Sequence, residues 1–234
     1  MNYKIIADEE LFREFINWLP ECLPNEQFYI CLFARKKYAP ESGLTNDKSQ
    51  LKRFTSTKER LFDKIRQLEC SIGSYKTSKG EEVPEESLAL YITPNPRDFI
   101  KASKEVAKEL INRICEGSNT TNPKSLSLDK IQTSCSDKIW YDFDIDYKGE
   151  SHDFIPFLKE QVKNAVGNTE FKIVEGRGGF HVLINLKSID ERFKNKWFNG
   201  IRNNEYLKSY IDMTGDLLLP VPGCCQGDFI PKFV

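Results

Sequence analysis

The chain has 234 residues, 39% apolar and 12% aromatic, which is enough for one large domain or two small fused ones. Lys and Arg number 34 against 35 Asp and Glu, and the net charge of −1 excludes a global basic field that would gather nucleic acid by itself. Seven cysteines, odd in number and without a C-x-x-C pair, exclude a zinc knuckle and argue against a disulfide framework. No apolar run approaches the ~20 residues that cross a bilayer, and no N-terminal signal pattern is present, so the expected placement is a reducing cytoplasm with no membrane contact.

In chain order, "ADEELFREFINWLP" carries Leu11, Phe12, Phe15, Ile16 and Leu19 at helical spacing and stops at Pro20. A strand is expected over 27–34, a loop over 39–50 and a helix over 56–69, where a Ser/Thr cap precedes Leu61, Ile65 and Leu68. Between Arg35 and Arg66 ten Lys/Arg stand against four Asp/Glu, a local excess compatible with a solvated face or a phosphate-facing surface. "SLALYI" (87–92) reads as a strand, and Pro96 opens a long expected helix. Residues 117–136 are poor in large apolar side chains and form the expected linker between an N-terminal module (1–116) and a C-terminal one (137–234). The second module reads strand (138–146), helix (152–166), strand (171–175), glycine-rich turn, strand ("FHVLINL"), helix (about 190–209), then extended pieces to the end. Strands interrupted by helices, with one hairpin, predict an α+β fold, a sheet covered by helices.

Three segments carry chemistry. In "KIWYDFDIDYK" the acids Asp142, Asp144 and Asp146 fall on alternate residues, so a strand would put them on one face about 6.6 Å apart, at a cost in repulsion. Two readings stay open here: an edge strand with its acids in water, or carboxylates holding Mg²⁺ or Mn²⁺ through hard oxygen ligands. In "VEGRGGFHVLIN", Gly176, Gly178 and Gly179 bare the backbone around Arg177, and His181 begins an apolar strand, a composition suited to phosphate. In "YIDMTGDLLLPVPG", Asp212 follows Ile211, and Asp216 reads as a turn residue.

In this order the segments resemble the archaeo-eukaryotic primase superfamily: acid–x–acid at Asp142-Phe143-Asp144, small residue–x–His at Gly179-Phe180-His181, and an apolar residue before an acid at Ile211-Asp212. The resemblance covers 138 to 232. The "ARKKY" and "NPRDF" segments are most similar to primase-polymerases of mobile elements and CRISPR-associated loci. It implies a mixed or antiparallel catalytic sheet like that of RNA-recognition motifs, fused to the N-terminal α/β module. The activity implied is that of a DNA primase/polymerase, a template-directed nucleotidyltransferase that makes or extends primers from NTPs or dNTPs with two Mg²⁺ or Mn²⁺ ions. Asp142, Asp144 and Asp212 would bind the metals, with Asp146 as a further acid. Arg177, Gly179, His181 and Lys232 would hold the nucleotide. Single-stranded DNA template and primer would lie on Arg35, Lys36, Lys37, Lys52 and Arg53, with Tyr38 and Phe54 as stacking platforms. No arginine precedes the proline of the last segment, and Gln226 stands where some relatives carry histidine. A monomer is expected, with an accessory C-terminal domain beyond the chain as a further expectation. A metal-dependent nuclease and a non-catalytic nucleic-acid-binding module remain alternatives. Removing Asp142 or Asp144 from a repelling cluster is expected not to destabilise the metal-free fold.

Overall fold

The first helix begins where Asp8 accepts hydrogen bonds from the Glu10 and Leu11 amides, and it runs as α1 (Glu9–Trp18), burying Phe12 and Phe15. The computed structural model describes residues 1–117 and 122–234. Strand β1 (Glu26–Arg35) follows and is buried almost throughout, because its two faces serve different apolar layers. Phe28, Ile30, Leu32 and Ala34 enter the main core, whereas Tyr29, Cys31 and Phe33 enter a smaller one. Antiparallel to β1 lie β2 (Lys48–Ser56) and β3 (Leu88–Ile92), with the short β4 (Arg97–Asp98) at its start.

Four expectations change here. Residues 48–56, split above between a loop and a helix start, form an edge strand, because the ladder to β1 overrides weak local propensity. The following helix, α2, shrinks to Leu61–Arg66. The helix expected from Pro96 begins three residues later, as α3 (Phe99–Cys115): Arg97 and Asp98 pair with β1, and Asp98 caps the Ile100 and Lys101 amides. Within the expected linker, which includes 118–121 outside the described residues, α4 (Pro123–Thr133) starts with proline in its first turn and an Asn122 cap. Its Leu128 and Ile131 cover Tyr29, Cys31 and Phe33.

The second sheet runs β10-β6-β7-β5-β8, all antiparallel. Its strands are β5 (Trp140–Ile145), β6 (Phe171–Gly176), β7 (Gly179–Asn185), β8 (Ile211–Gly215) and β10 (Lys232–Phe233). One face buries Phe143, Ile145, Phe180 and Val182 beneath α5 (Ser151–Val166) and α6 (Trp197–Arg202). The helix expected over 190–209 is reduced to a turn at 191–193 and α6, which ends at Asn203, a residue of low helix propensity.

The modules are joined through the end of the chain. Strand β9 (Leu219–Pro220) pairs with β3, Cys224 bridges to Ile6, and β10 returns to β6. Trp140, Val174 and Leu183 of the second sheet share one core with Phe28 and Ile30 of the first. The architecture among the described residues is a mixed α+β fold of two antiparallel sheets and six α-helices. Among the described residues, no helix is long and apolar enough to cross a membrane, and all seven cysteines are free thiols.

Gly223 shows how tightly the returning segment is packed: its φ is +79°, and a Cβ there would overlap the Asp8 carbonyl and the Phe12 amide. Gly223→Ala is expected to destabilise the whole protein by about 2–3 kcal/mol, combining backbone strain with overpacking. Urea denaturation followed at Trp18 and Trp140, whose tilted rings lie 4.8 Å apart, would read a single lowered midpoint.

Candidate active site

Strand β5 is central, paired with β7 on one side and β8 on the other, so its acids do not lie on an edge. Its alternation sends Phe143 and Ile145 to the helices and turns Asp142 and Asp144 toward the first sheet. Register places Asp144 directly opposite His181. That register rests on Gly179, whose φ of +148° and missing Cβ let β7 pass against the Ile145 carbonyl. An alanine methyl would overlap that oxygen.

Asp142 is fully buried. Its Oδ2 accepts a 2.8 Å hydrogen bond from His181 Nδ1, and its Oδ1 has no partner among the described residues. The other ring nitrogen, Nε2, lies 3.8 Å from Asp144 Oδ1. Burial opposes charge on the His181 ring, but Asp142 as neighbour and acceptor, with Asp144 and Asp146 behind it, raises the imidazole pKa. For Asp144 the largest effect is burial. The Asp142, Asp146 and Asp212 carboxylates add to it and the pKa rises, although His181 pulls the other way.

Between the two sheets lies a cleft of about 620 Å³, and Asp144, Asp146, Gly178, Gly179, His181 and Asp212 line it from the second sheet. A bulge in the β5–β8 pairing falls opposite Asp144, where Asp212 and Met213 stand. His181 thus lies between Asp142, buried behind it, and Asp144, while Asp212 lines the same cleft from the neighbouring strand. The donor set suits a hard divalent cation, and the orphaned, buried Oδ1 of Asp142 is an oxygen that such an ion would satisfy. Among the described residues, no three His, Cys, Asp or Glu side chains already stand converged as a closed ligand set.

Other expected residues are used differently. Arg177 does not line the cleft: its guanidinium stacks 4.6 Å from the Tyr38 ring and pairs with Asp228 at 3.1 Å. Lys232 pairs with Glu175 at 3.4 Å, and because Glu175 stands opposite Phe180, this pair lies on the helix-covered face, away from His181. On the first sheet Arg35 and Lys37 line the cleft, Lys36 does not, and Lys52 shares the face of Leu32 and points away. Arg53 is bound to Asp129 and Ser125 of α4. Tyr38 is buried and Phe54 packs against the main core, so neither ring is free to stack on a base.

Several site residues carried no recognisable signal. Lys48, opposite Arg35 across β1 and β2, also lines the cleft. Asp216, read above as a turn residue, pairs with the fully buried Arg97 and accepts a 2.8 Å bond from Asn95. Asn95 in turn holds the Ile139 and Trp140 amides and the Trp140 carbonyl, fixing the start of β5. Gln226 accepts from the Arg177 amide and donates to the Tyr38 and Tyr91 hydroxyls. Burial and long-range contact define these roles, so no local motif marks them. No family model, curated protein or solved structure matches the chain.

The geometry separates the two strand acids. Burial and the neighbouring carboxylates outweigh the His181 ring at Asp144 in the metal-free protein, so Asp144→Asn is expected to raise the melting temperature at pH 7 in EDTA. A raised carboxyl pKa means that the native state binds its proton more tightly. The penalty is therefore full at neutral pH, and the gain from Asn vanishes below the ordinary carboxylate range of about 4. His181, also raised, contributes stability that is complete below its unfolded value of about 6.5 and lost as pH rises through the folded one. Asp142→Ala, contrary to the expectation above, removes the partner of a buried ring and is expected to cost ~3 kcal/mol, measured by chemical denaturation at pH 6.

Proposed function

We propose that the chain is a nucleotidyltransferase of the archaeo-eukaryotic primase type, joining nucleoside triphosphates to a primer on a single-stranded DNA template. The observation that carries this reading is the meeting of Asp144, His181 and Asp212, far apart in sequence, at one cleft, with Asp142 buried behind the His181 ring and bonded to it. The antiparallel arrangement, with the acidic strand between the histidine strand and the Asp212 strand, supports it further.

Asp142, Asp144 and Asp212 would hold divalent ions, with Asp146 at the rim. Such ions supply a clamp on the attacking and leaving oxygens of phosphoryl transfer. The chain's own groups orient and neutralise. Asp142 fixes the His181 ring through Nδ1 and raises its pKa, which favours the protonated ring whose Nε2 would donate to a phosphate oxygen. Gly178 and Gly179 leave the backbone bare beside the acids, where a substrate phosphate approaches without meeting a side chain. Little covalent work is asked of the protein, since catalysis of this kind is mostly positioning and charge stabilisation.

Primer extension and unprimed synthesis on single-stranded templates, with ribo- and deoxyribonucleotides and Mg²⁺ or Mn²⁺, test the proposal. Asp144→Ala and Asp212→Ala are each expected to lower incorporation at least about a hundredfold while the protein stays folded. Full incorporation by Asp144→Ala overturns the assignment, and shortening of DNA without added nucleotides favours a nuclease instead.

A further inference from the structure

Across the cleft from the carboxylates, Arg35, Lys37 and Lys48 form a second wall on the first sheet. Arg35 and Lys48 are direct cross-strand partners, and Lys37 follows in the turn after β1. No ion pair joins any of the three to a described carboxylate, although the same molecule makes close pairs at Arg97–Asp216, Arg53–Asp129 and Lys58–Glu21. Their contacts are aromatic or neutral: Lys48 over Phe33 at 4.2 Å, Lys37 over Tyr38 at 5.4 Å, and Arg35 to the Tyr91 hydroxyl at 3.4 Å. The Arg35 Nε is buried with no partner. Burial first, and then Arg35, lowers the pKa of both lysines, and for Lys37 the Asp146 and Asp144 carboxylates across the cleft only partly oppose this.

We infer that Arg35, Lys37 and Lys48 seat the polyphosphate of the substrate, the part released as diphosphate, in place of Arg177 and Lys232. This inference rests on the proposed nucleotidyl transfer. A cleft with acids on one wall and unpaired cations on the other complements a ligand carrying both signs, a polyphosphate with its divalent ions. A nucleic-acid strand would leave the same chemical mark but needs a continuing stripe, and here the stripe stops. Lys52 faces away, Arg53 is bound to Asp129, and a volume of about 620 Å³ suits a compact ligand.

The test is calorimetric binding of inorganic tripolyphosphate with Mg²⁺, beside binding of a single-stranded oligonucleotide without nucleotides. Lys37→Gln and Lys48→Gln are each expected to weaken tripolyphosphate about tenfold and the pair about a hundredfold, with oligonucleotide affinity unchanged. Lys48→Arg should retain most of the affinity. Melting temperatures should not fall, because mutual repulsion is relieved. Unchanged tripolyphosphate binding in the double variant overturns the inference. So does weakening confined to the oligonucleotide, or a wild type that binds no tripolyphosphate. A wild type that incorporates nucleotides while the lysine variants match it sinks this inference alone. A wild type that binds tripolyphosphate on this wall yet incorporates nothing sinks the proposed function alone.

Discussion

A carboxylate taken wholly out of water must find donors, and Asp142 finds one, the Nδ1 of His181. The rest of the site is organised around that bond. It joins β5 to β7 through side chains as well as through the backbone ladder, and it ties the charge of the ring to the charge of the strand. A slip of one residue in the pairing would bring Phe143 into the cleft and push Asp142 among Leu158, Val162 and Phe180. Both faces oppose the slip, so the register that sets Asp144 against His181 is specified by burial on one side and by the ion pair on the other.

The two walls of the cleft then pose an electrostatic problem that the fold leaves open. Acids and cations were available to neutralise one another, and some do: Lys232 meets Glu175 away from the cleft, and Arg97 meets Asp216 at the cleft itself. Arg35, Lys37 and Lys48 make no ion pair with Asp144, Asp146 or Asp212, and burial first, then like-charged neighbours, raises the Asp144 carboxyl and lowers the Lys37 and Lys48 ammonium pKa values. Each wall carries the cost of its own like charges. On the proposed reading, a ligand that brings cations to one wall and anions to the other relieves both.

The face pattern of β5 was readable because alternation is a local property: acids every second residue, with Phe143 and Ile145 between them, state which side is which. His181 was readable as a strand start beside glycines, whereas Gly179, expected to bare the backbone to a ligand, lies against the Ile145 carbonyl of the neighbouring strand. The roles of Arg177 and Lys232 were not, because family patterns give the residue type near a turn and not the neighbour it prefers. Asp228 and Tyr38 hold one, Glu175 the other. Strand β2 was missed for a similar reason, since its polar composition suits an edge whose order comes from β1. Lys48 lay hidden within that mistake: only as a strand residue opposite Arg35 does it reach the cleft.

The two walls belong to different sheets, so something must hold their separation. The shared core does part of this, through Trp140, Val174 and Leu183. The segment after β8 does the rest. Asp216 locks onto Arg97 at the base of the first sheet, β9 adds to β3, and Gln226 bonds at once to the glycine-rich turn and to Tyr38 and Tyr91 beneath the cationic wall. Gln226 is a neutral hub in place of a further cation. It spends its donors and its acceptor on spacing, leaving the charge to Arg35, Lys37 and Lys48. The returning loop thus sets distance, while Arg35, Lys37 and Lys48 place positive charge on the first sheet.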